Sequence, residues 1–223
     1  MATTSAAAYD AHADWYESYI SGGGDYLRRV HATVGDLLGA GEGPCLDICC
    51  GTGAHASVPA GLGWTPVGVD LSGGQLRHAR RRLPVARGDA TALPVADSSL
   101  PAAMCVLAST DLPDYPAVLR EVVRVLRPGG RFVHVGVHPC FVGAFADWGR
   151  HPSVVVDARY ADLSRSFDSW NTGGVRVRVG AWHLPLADLL NATVTAGLRL
   201  IRVAEAGPGG VPDLFAFLAI RER

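Results

Sequence analysis

From residue 45 onward the chain alternates short apolar runs with segments of helical periodicity, and this alternation restricts the fold more than any other feature. Cys45-Leu46-Asp47-Ile48-Cys49-Cys50 has the pattern of a buried strand closed by Gly51-Thr52-Gly53, and Thr65-Pro66-Val67-Gly68-Val69-Asp70 that of a second. Residues 73–82 are helix-like, and residues 102–107 form another buried run. Beyond Asp114, Pro116 suits a first helical turn. Val118, Leu119, Val122, Val123 and Leu126 recur at helical spacing, and Arg127-Pro128-Gly129-Gly130 stops the helix before a strand from Arg131 to Val137. Residues 186–196 continue as a helix stopped by Gly197, followed by strands at 198–204 and 213–220. Strands separated by helices of this length require crossover connections, hence a mainly parallel α/β sheet with helices on both faces.

With 223 residues and 48% hydrophobic content, the chain suffices for one domain with its own core, taken as 1–223. Segments 1–39 and 138–183 depart from the alternation. Tyr9, Trp15, Tyr16, Tyr19 and Tyr26 fall in the first, and Phe141, Phe145, Trp148, Tyr160, Phe167, Trp170 and Trp182 in the second. Aromatics concentrated there either form the small core of a cap or line a ligand pocket between cap and sheet.

Charge excludes several classes of function. Twenty basic residues against 21 acidic ones leave a net charge of −1, too little field to hold nucleic acid or an anionic membrane. Every basic residue is arginine, so a lysine Schiff base and a phosphate-loop lysine are both impossible. The cysteines Cys45, Cys49, Cys50, Cys105 and Cys140 form no CxxC pair, as expected of reduced thiols in a cytoplasmic setting, and no apolar run approaches the ~18 residues of a membrane span. The histidines show no metal-ligand spacing, no serine sits in a nucleophile elbow, and Arg77, Arg80, Arg81 and Arg82 suit a solvated helix face.

In open parallel sheets ligands bind beyond the carboxyl ends of the strands. There the chain places Gly51-Thr52-Gly53 after the first strand, and Asp70 after the second, 17 residues past Gly53, where a carboxylate can accept both ribose hydroxyls. Asp89 follows where a third strand would end, placed for an adenine amino group.

CLDICCGTG, VGVDLS, ARGDATALP and LREVVRVLRPGGRF together resemble the class I S-adenosylmethionine-dependent methyltransferases of the small-molecule branch, over roughly residues 9–137. Residues 183–197 are more loosely similar to the late helix of ubiquinone- and menaquinone-type methyltransferases. The resemblance implies a Rossmann-like seven-stranded sheet with an antiparallel last strand, a helical lid at 1–39 and a substrate-cap insert at 138–183. It implies S-adenosylmethionine as cofactor: Asp47, Cys49, Gly51 and Gly53 around the methionine moiety, Asp70 and Leu71 at the ribose, Asp89 and Ala90 at the adenine, and Tyr16 over the ligand carboxylate. It further implies methyl transfer to an oxygen, carbon or nitrogen of a small, largely apolar molecule in secondary or quinone-like metabolism. Three positions depart from the family: Cys49 stands where glycine is usual, Leu100-Pro101 replaces a Phe-Asp pair, and Thr110-Asp111 replaces a histidine pair.

Gly51-Thr52-Gly53-Ala54-His55-Ala56 also satisfies a loose dinucleotide fingerprint, which leaves a nicotinamide oxidoreductase as an alternative. Asp47 speaks against it, because a carboxylate repels pyrophosphate and suits a cationic amino group. A protein that binds the cofactor without transferring methyl, as a rearrangement catalyst or sensor, is the other alternative. For proton removal the residues in position are His138 past the fifth strand, Asp111 past the fourth and His183 before the late helix, with His138 preferred for its neutral-range titration and a structural histidine as its competing role.

Overall fold

A computed structural model describes residues 7–150 and 152–222. Seven strands, β1 (Pro44–Ile48), β2 (Thr65–Asp70), β3 (Val85–Arg87), β4 (Leu100–Val106), β5 (Leu126–Val137), β8 (Leu198–Ala206) and β9 (Leu214–Arg221), form one sheet, while β6 (Ala146–Asp147) and β7 (Val155–Val156) pair separately. The order is β3-β2-β1-β4-β5-β9-β8, with β9 antiparallel to both its neighbours and the rest parallel to one another. The expected seven strands and antiparallel last strand are therefore present.

Alternating side chains serve the two faces. Leu46, Ala103, Cys105, Phe132 and Phe217 point into one core with α5 (Tyr115–Val125) and α7 (Leu186–Thr195). Cys45, Ala102, Met104, Val133 and Val135 face α2 (Gly24–Leu38), which buries Val30, Val34, Leu37 and Leu38. This period-two division is what a sheet buried on both sides demands. Asp114 begins α5 as expected, accepting a hydrogen bond from the Ala117 N–H at 2.9 Å, with Pro116 in the first turn.

Several boundaries differ from expectation. The helix expected over 73–82 is regular only as α4 (Gly73–Ala79), capped by Ser72. β5 starts at Leu126, paired with Leu100, and the register then jumps to Ala102 with Arg131. Arg127-Pro128-Gly129-Gly130 thus bulges out of a strand instead of preceding it. Of the segment expected as a lid, residues 1–6 lie outside the described residues, and α2 belongs to the sandwich because its apolar stripe is sheet-facing. The covering part is residues 7–22, containing α1 (Ala13–Ser21). The insert 138–183 carries little regular structure: β6, β7, a 3-10 turn (Ala158–Ala161) and α6 (Arg176–Val179). No helix among the described residues is long and apolar enough to cross a membrane. All five cysteines are free, with Cys45, Cys50 and Cys105 buried.

Candidate active site

Connections run outward from β1 to β2 and β3, then cross back to β4, so the sheet changes direction between β1 and β4. A crevice opens at such a reversal, beyond the carboxyl ends of the two strands. At each end the backbone turns through a left-handed residue that is not glycine: Cys49 (φ 58°) after β1 and Leu107 (φ 57°) after β4. Each costs on the order of 1–2 kcal/mol relative to an ordinary conformation. Both residues line the crevice. Cys49 also packs against the core on the α5 side.

Asp70, at the end of β2, braces this turn. Its Oδ2 accepts from the Gly51 N–H and its Oδ1 from the Ser72 N–H, each at 2.8 Å, leaving lone pairs on both oxygens for a ligand. Burial nevertheless raises its pKa, which the two N–H donors counter. A Cβ on Gly51 would stand in ordinary contact with Gln75 Oε1 at 3.8 Å and Tyr16 at 3.9 Å, and what favours glycine there is its φ of +54°. Gly53 is glycine for another reason: a Cβ would meet Leu83 at 2.6 Å and Ala79 at 3.3 Å, and φ is +75°. It lets α4 approach and does not line the crevice.

Asp47, inside β1, lines neither cavity; it is nearly inaccessible, and neither carboxylate oxygen has a hydrogen-bond partner among the described residues. Burial first, then the charge of Asp70, pushes its pKa up to about 8. Gln75 on α4 likewise has a buried, unpartnered Oε1. This is the acceptor surplus that an ammonium group would satisfy.

The amino-terminal segment closes the crevice. Asp10 accepts from the Ser72 hydroxyl at 2.6 Å and the Gly74 N–H at 3.0 Å, Glu17 meets Arg82 at 2.5 Å, and Asp14 meets His78 at 2.8 Å and Arg77 at 3.3 Å. Arg77, Arg80, Arg81 and Arg82 are all exposed, the expected solvated face, and Arg77 and Arg82 also pair with acids of the amino-terminal segment. Arg82 also donates to the Thr52 carbonyl at 2.7 Å. Tyr9 and Tyr16 meet edge to face at 5.4 Å, and the Tyr9 hydroxyl donates to Asp111 at 2.9 Å.

Two cavities result. The first, about 150 Å³, is lined by Tyr9, Tyr16, Cys49, Gly51, Asp70, Leu71, Gln75 and Trp182 among others. It is smaller than the roughly 300–1,000 Å³ typical of ligand sites, and Tyr9 and Tyr16 of the amino-terminal segment form part of its wall. The second, about 660 Å³, lies under the insert and is lined by Tyr19, Tyr26, Trp148 and Trp170, with Arg29, Arg176 and Asp213 as charged members. Tyr9, Tyr16, Leu107, Asp111 and Gly180 belong to both walls. The aromatics of both irregular segments thus divide between lining and packing: Phe145 is fully buried against Tyr160 and His183.

The three residues expected for proton removal separate. Asp111 is at the junction of the cavities; burial lifts its pKa to about 7, against the Tyr9 hydrogen bond and the nearby Arg176 and Arg165 charges. His138 is buried outside both cavity walls, its Nδ1 accepting the Cys140 N–H at 3.1 Å and its Nε2 lying 2.8 Å from Glu205 on β8. With both nitrogens engaged it ties the insert to the sheet edge, and its preference as a base is corrected. His183 lies between the Phe145 and Tyr160 rings, at 4.6 and 5.0 Å, also outside both walls. Burial lowers its pKa. Asp89 and Ala90 line neither cavity. The Asp89 carboxylate is exposed and accepts from the Thr91 N–H and hydroxyl, both at 2.8 Å. The Asp10 clamp and Arg176 were not singled out in the sequence, since a lone acid or arginine in an irregular segment carries no pattern.

Residues 46–134 match the Methyltransferase domain family. A probable phthiotriol/phenolphthiotriol dimycocerosates methyltransferase of Mycobacterium ulcerans is 37% identical over 131 residues, covering 55% of this chain and 48% of the relative. A demethylmenaquinone methyltransferase of Renibacterium salmoninarum is 37% identical over 119 residues, covering 51% and 50%. The chain spans about half the length of these relatives. A solved S-adenosylmethionine-dependent methyltransferase from Mesorhizobium loti shares the fold, with a TM-score of 0.70 at 24% identity over 91% of this chain and 100% of that one. Residues 46–134 are thus similar to a methyltransferase domain, and the chain shares the fold of solved S-adenosylmethionine-dependent methyltransferases. S-adenosylmethionine is the cofactor of those methyltransferases, and the free lone pairs of Asp70 and the unpartnered Oε1 of Gln75, both in the crevice wall, fit it.

Proposed function

We propose that this chain transfers a methyl group from S-adenosylmethionine to an oxygen, carbon or nitrogen of a small, largely apolar molecule of quinone-like or secondary-metabolic type. The observation that carries the reading is the shared wall: the crevice at the sheet reversal shares Asp111 and Tyr16 with a larger aromatic cavity. In this reading Asp47 and Gln75 take the ammonium group, Asp70 with Leu71 the ribose, and Tyr16 the ligand carboxylate. Asp89 and Ala90 reach the adenine only if their loop turns inward.

The cofactor supplies a methyl group already activated by the positive charge on sulfur. The protein's task is to align the acceptor with it and keep water out. Alignment can supply roughly 7–11 kcal/mol, whereas a positioned base adds perhaps 10²–10⁴-fold. The lid, clamped through Asp10, Asp14 and Glu17, excludes water, and the aromatic cavity orients the acceptor. Asp111, with its pKa near 7 and its place in both walls, is the group within reach of an acceptor proton.

Calorimetric titration tests the cofactor assignment. S-adenosylhomocysteine is expected to bind more tightly than NAD, and the reverse order contradicts the reading in favour of an oxidoreductase.

A further inference from the structure

Two consecutive residues of the amino-terminal segment reach opposite sides of the crevice. Tyr9 reaches the β4 side, its hydroxyl donating to Asp111 Oδ2 at 2.9 Å. Asp10 reaches the β2 side, its Oδ1 accepting the Ser72 hydroxyl at 2.6 Å and the Gly74 N–H at 3.0 Å. The seat on α4 is fitted to this strap: a Cβ on Gly74 would stand 3.0 Å from the Asp10 carbonyl oxygen and 3.1 Å from the Ala13 Cβ, tighter than ordinary contact. Glycine is what lets the strap settle there. At its other end α1 meets α2 through Gly22-Gly23-Gly24, where Gly24 has φ +48° and nothing within 4 Å of its missing Cβ. That is a joint about which α1 can turn as a unit.

The closed strap narrows the site in two ways. The Tyr9 ring belongs to the walls of both cavities, and the crevice it bounds measures about 150 Å³, roughly half the 300 Å³ at which ligand sites of ordinary size begin. The Asp111 oxygen that holds the Tyr9 hydroxyl is not open to an acceptor.

We propose that Tyr9 and Asp10 form an autoinhibitory lock: seated on Asp111 and on the turn at Ser72 and Gly74, they hold the crevice below the size of S-adenosylmethionine, which enters only those molecules whose strap has lifted. This rests on the crevice being the S-adenosylmethionine site and adds how that site is guarded. A lock and a lid that retains its ligand differ in sign. The dissociation constant observed for a ligand is the intrinsic one divided by the open fraction. Weakening a lock raises that fraction and tightens binding, whereas weakening a retaining lid loosens it. Losing a hydroxyl bond to a carboxylate changes such an equilibrium roughly tenfold or more.

The test compares the parent chain with Tyr9→Phe, which removes only the hydroxyl, and with Gly74→Ala, which crowds the strap's seat at a position outside both cavity walls. S-adenosylhomocysteine binding is followed by calorimetry and stopped flow. Strap opening, with no nucleoside present, is followed by iodoacetamide alkylation of Cys49 on the crevice wall, resolved by mass spectrometry. Tyr9→Phe should bind S-adenosylhomocysteine at least tenfold more tightly and Gly74→Ala at least threefold, both with faster association. Cys49 alkylation should quicken by similar factors while that of Cys105, buried in the sheet, stays unchanged. Weaker nucleoside binding by either variant would make the strap a retaining lid and overturn the proposal, as would an unchanged Cys49 rate. Faster Cys49 alkylation in both variants with no nucleoside bound by any form would leave the lock and remove the methyl-transfer reading. S-adenosylhomocysteine bound alike by all three forms would remove the lock and leave that reading.

Discussion

The two cavity walls are built in opposite ways. The crevice beyond β1, β2 and β4 is made of strand ends and tight turns, held by backbone N–H groups on Asp70 and by left-handed residues at Cys49 and Leu107. The larger cavity is roofed by an insert with almost no regular structure, held by aromatic contacts and by His138 pinned between the Cys140 N–H and Glu205. A site on strand ends is rigid and suits a ligand that never changes, whereas a wall of side chains on irregular backbone adapts to one acceptor. Asp70 and Asp111 show the contrast in single residues. Both are acids at strand ends with pKa values raised by burial, but the first is held by two N–H donors and the second by one tyrosine hydroxyl.

Removing the brace should have the largest effect. Asp70→Ala removes the proposed ribose contact, about 1.5–3 kcal/mol for charge-assisted bonds, and also frees the N–H groups of Gly51 and Ser72. S-adenosylhomocysteine affinity is expected to fall about a hundredfold by calorimetry, with a lower Tm. Unchanged affinity would mean that Asp70 serves only the turn.

On the other wall, Asp111→Asn should leave that affinity within about threefold while lowering single-turnover methyl transfer roughly 10²–10⁴-fold. In the parent the rate should rise with pH up to about 7, as the carboxyl loses its proton, and then level off. The groups facing it, Tyr9, Asp70, Arg165 and Arg176, set that midpoint, and the asparagine variant should lose the limb. A profile that persists would assign the titration elsewhere.

Burial of Asp47 adds a pH dependence to the strand-end wall. Its folded pKa is raised to about 8, so the folded chain holds a proton that the unfolded chain releases above the ordinary carboxylate range. Stability without ligand should therefore fall as pH rises from about 4 toward 8. Binding an ammonium ion requires the ionised form, so S-adenosylhomocysteine affinity should rise up to tenfold per pH unit as pH approaches 8. A flat dependence from pH 6 to 8 would place the ammonium group elsewhere.

Legibility in the sequence follows the same division. The buried apolar runs of β1, β2 and β4, the Asp114 start of α5 and Asp70 at the end of β2 are local patterns, and the structure repeats them at the residues where they were read. The exceptions on that side are Asp89 and Ala90, which line neither cavity, and Gly53, whose spacing suggested a ligand contact but whose missing Cβ makes room for Leu83. The insert offered only its aromatic richness. His138 looked available because sequence places it one residue past a strand; Glu205, 67 residues later, occupies its Nε2, and no local pattern announces a contact of that separation.

The smallest effect should come from Cys49→Gly. Relief of the left-handed strain, about 1–2 kcal/mol, is offset by ~0.4–1 kcal/mol of added chain freedom and by lost packing against the core. Urea denaturation should shift by less than about 1 kcal/mol. A larger loss would show that the thiol packing outweighs the strain.

Methyl transfer to a small molecule is tested most directly by supplying S-adenosylmethionine labelled in its methyl group to the purified protein with a cell extract, then following label by mass spectrometry. The expected result is label in a low-molecular-weight product, formed in step with S-adenosylhomocysteine and lost in Asp111→Asn. Label in bulk RNA or protein with none in any small molecule, or tight cofactor binding with no S-adenosylhomocysteine formed, would contradict it.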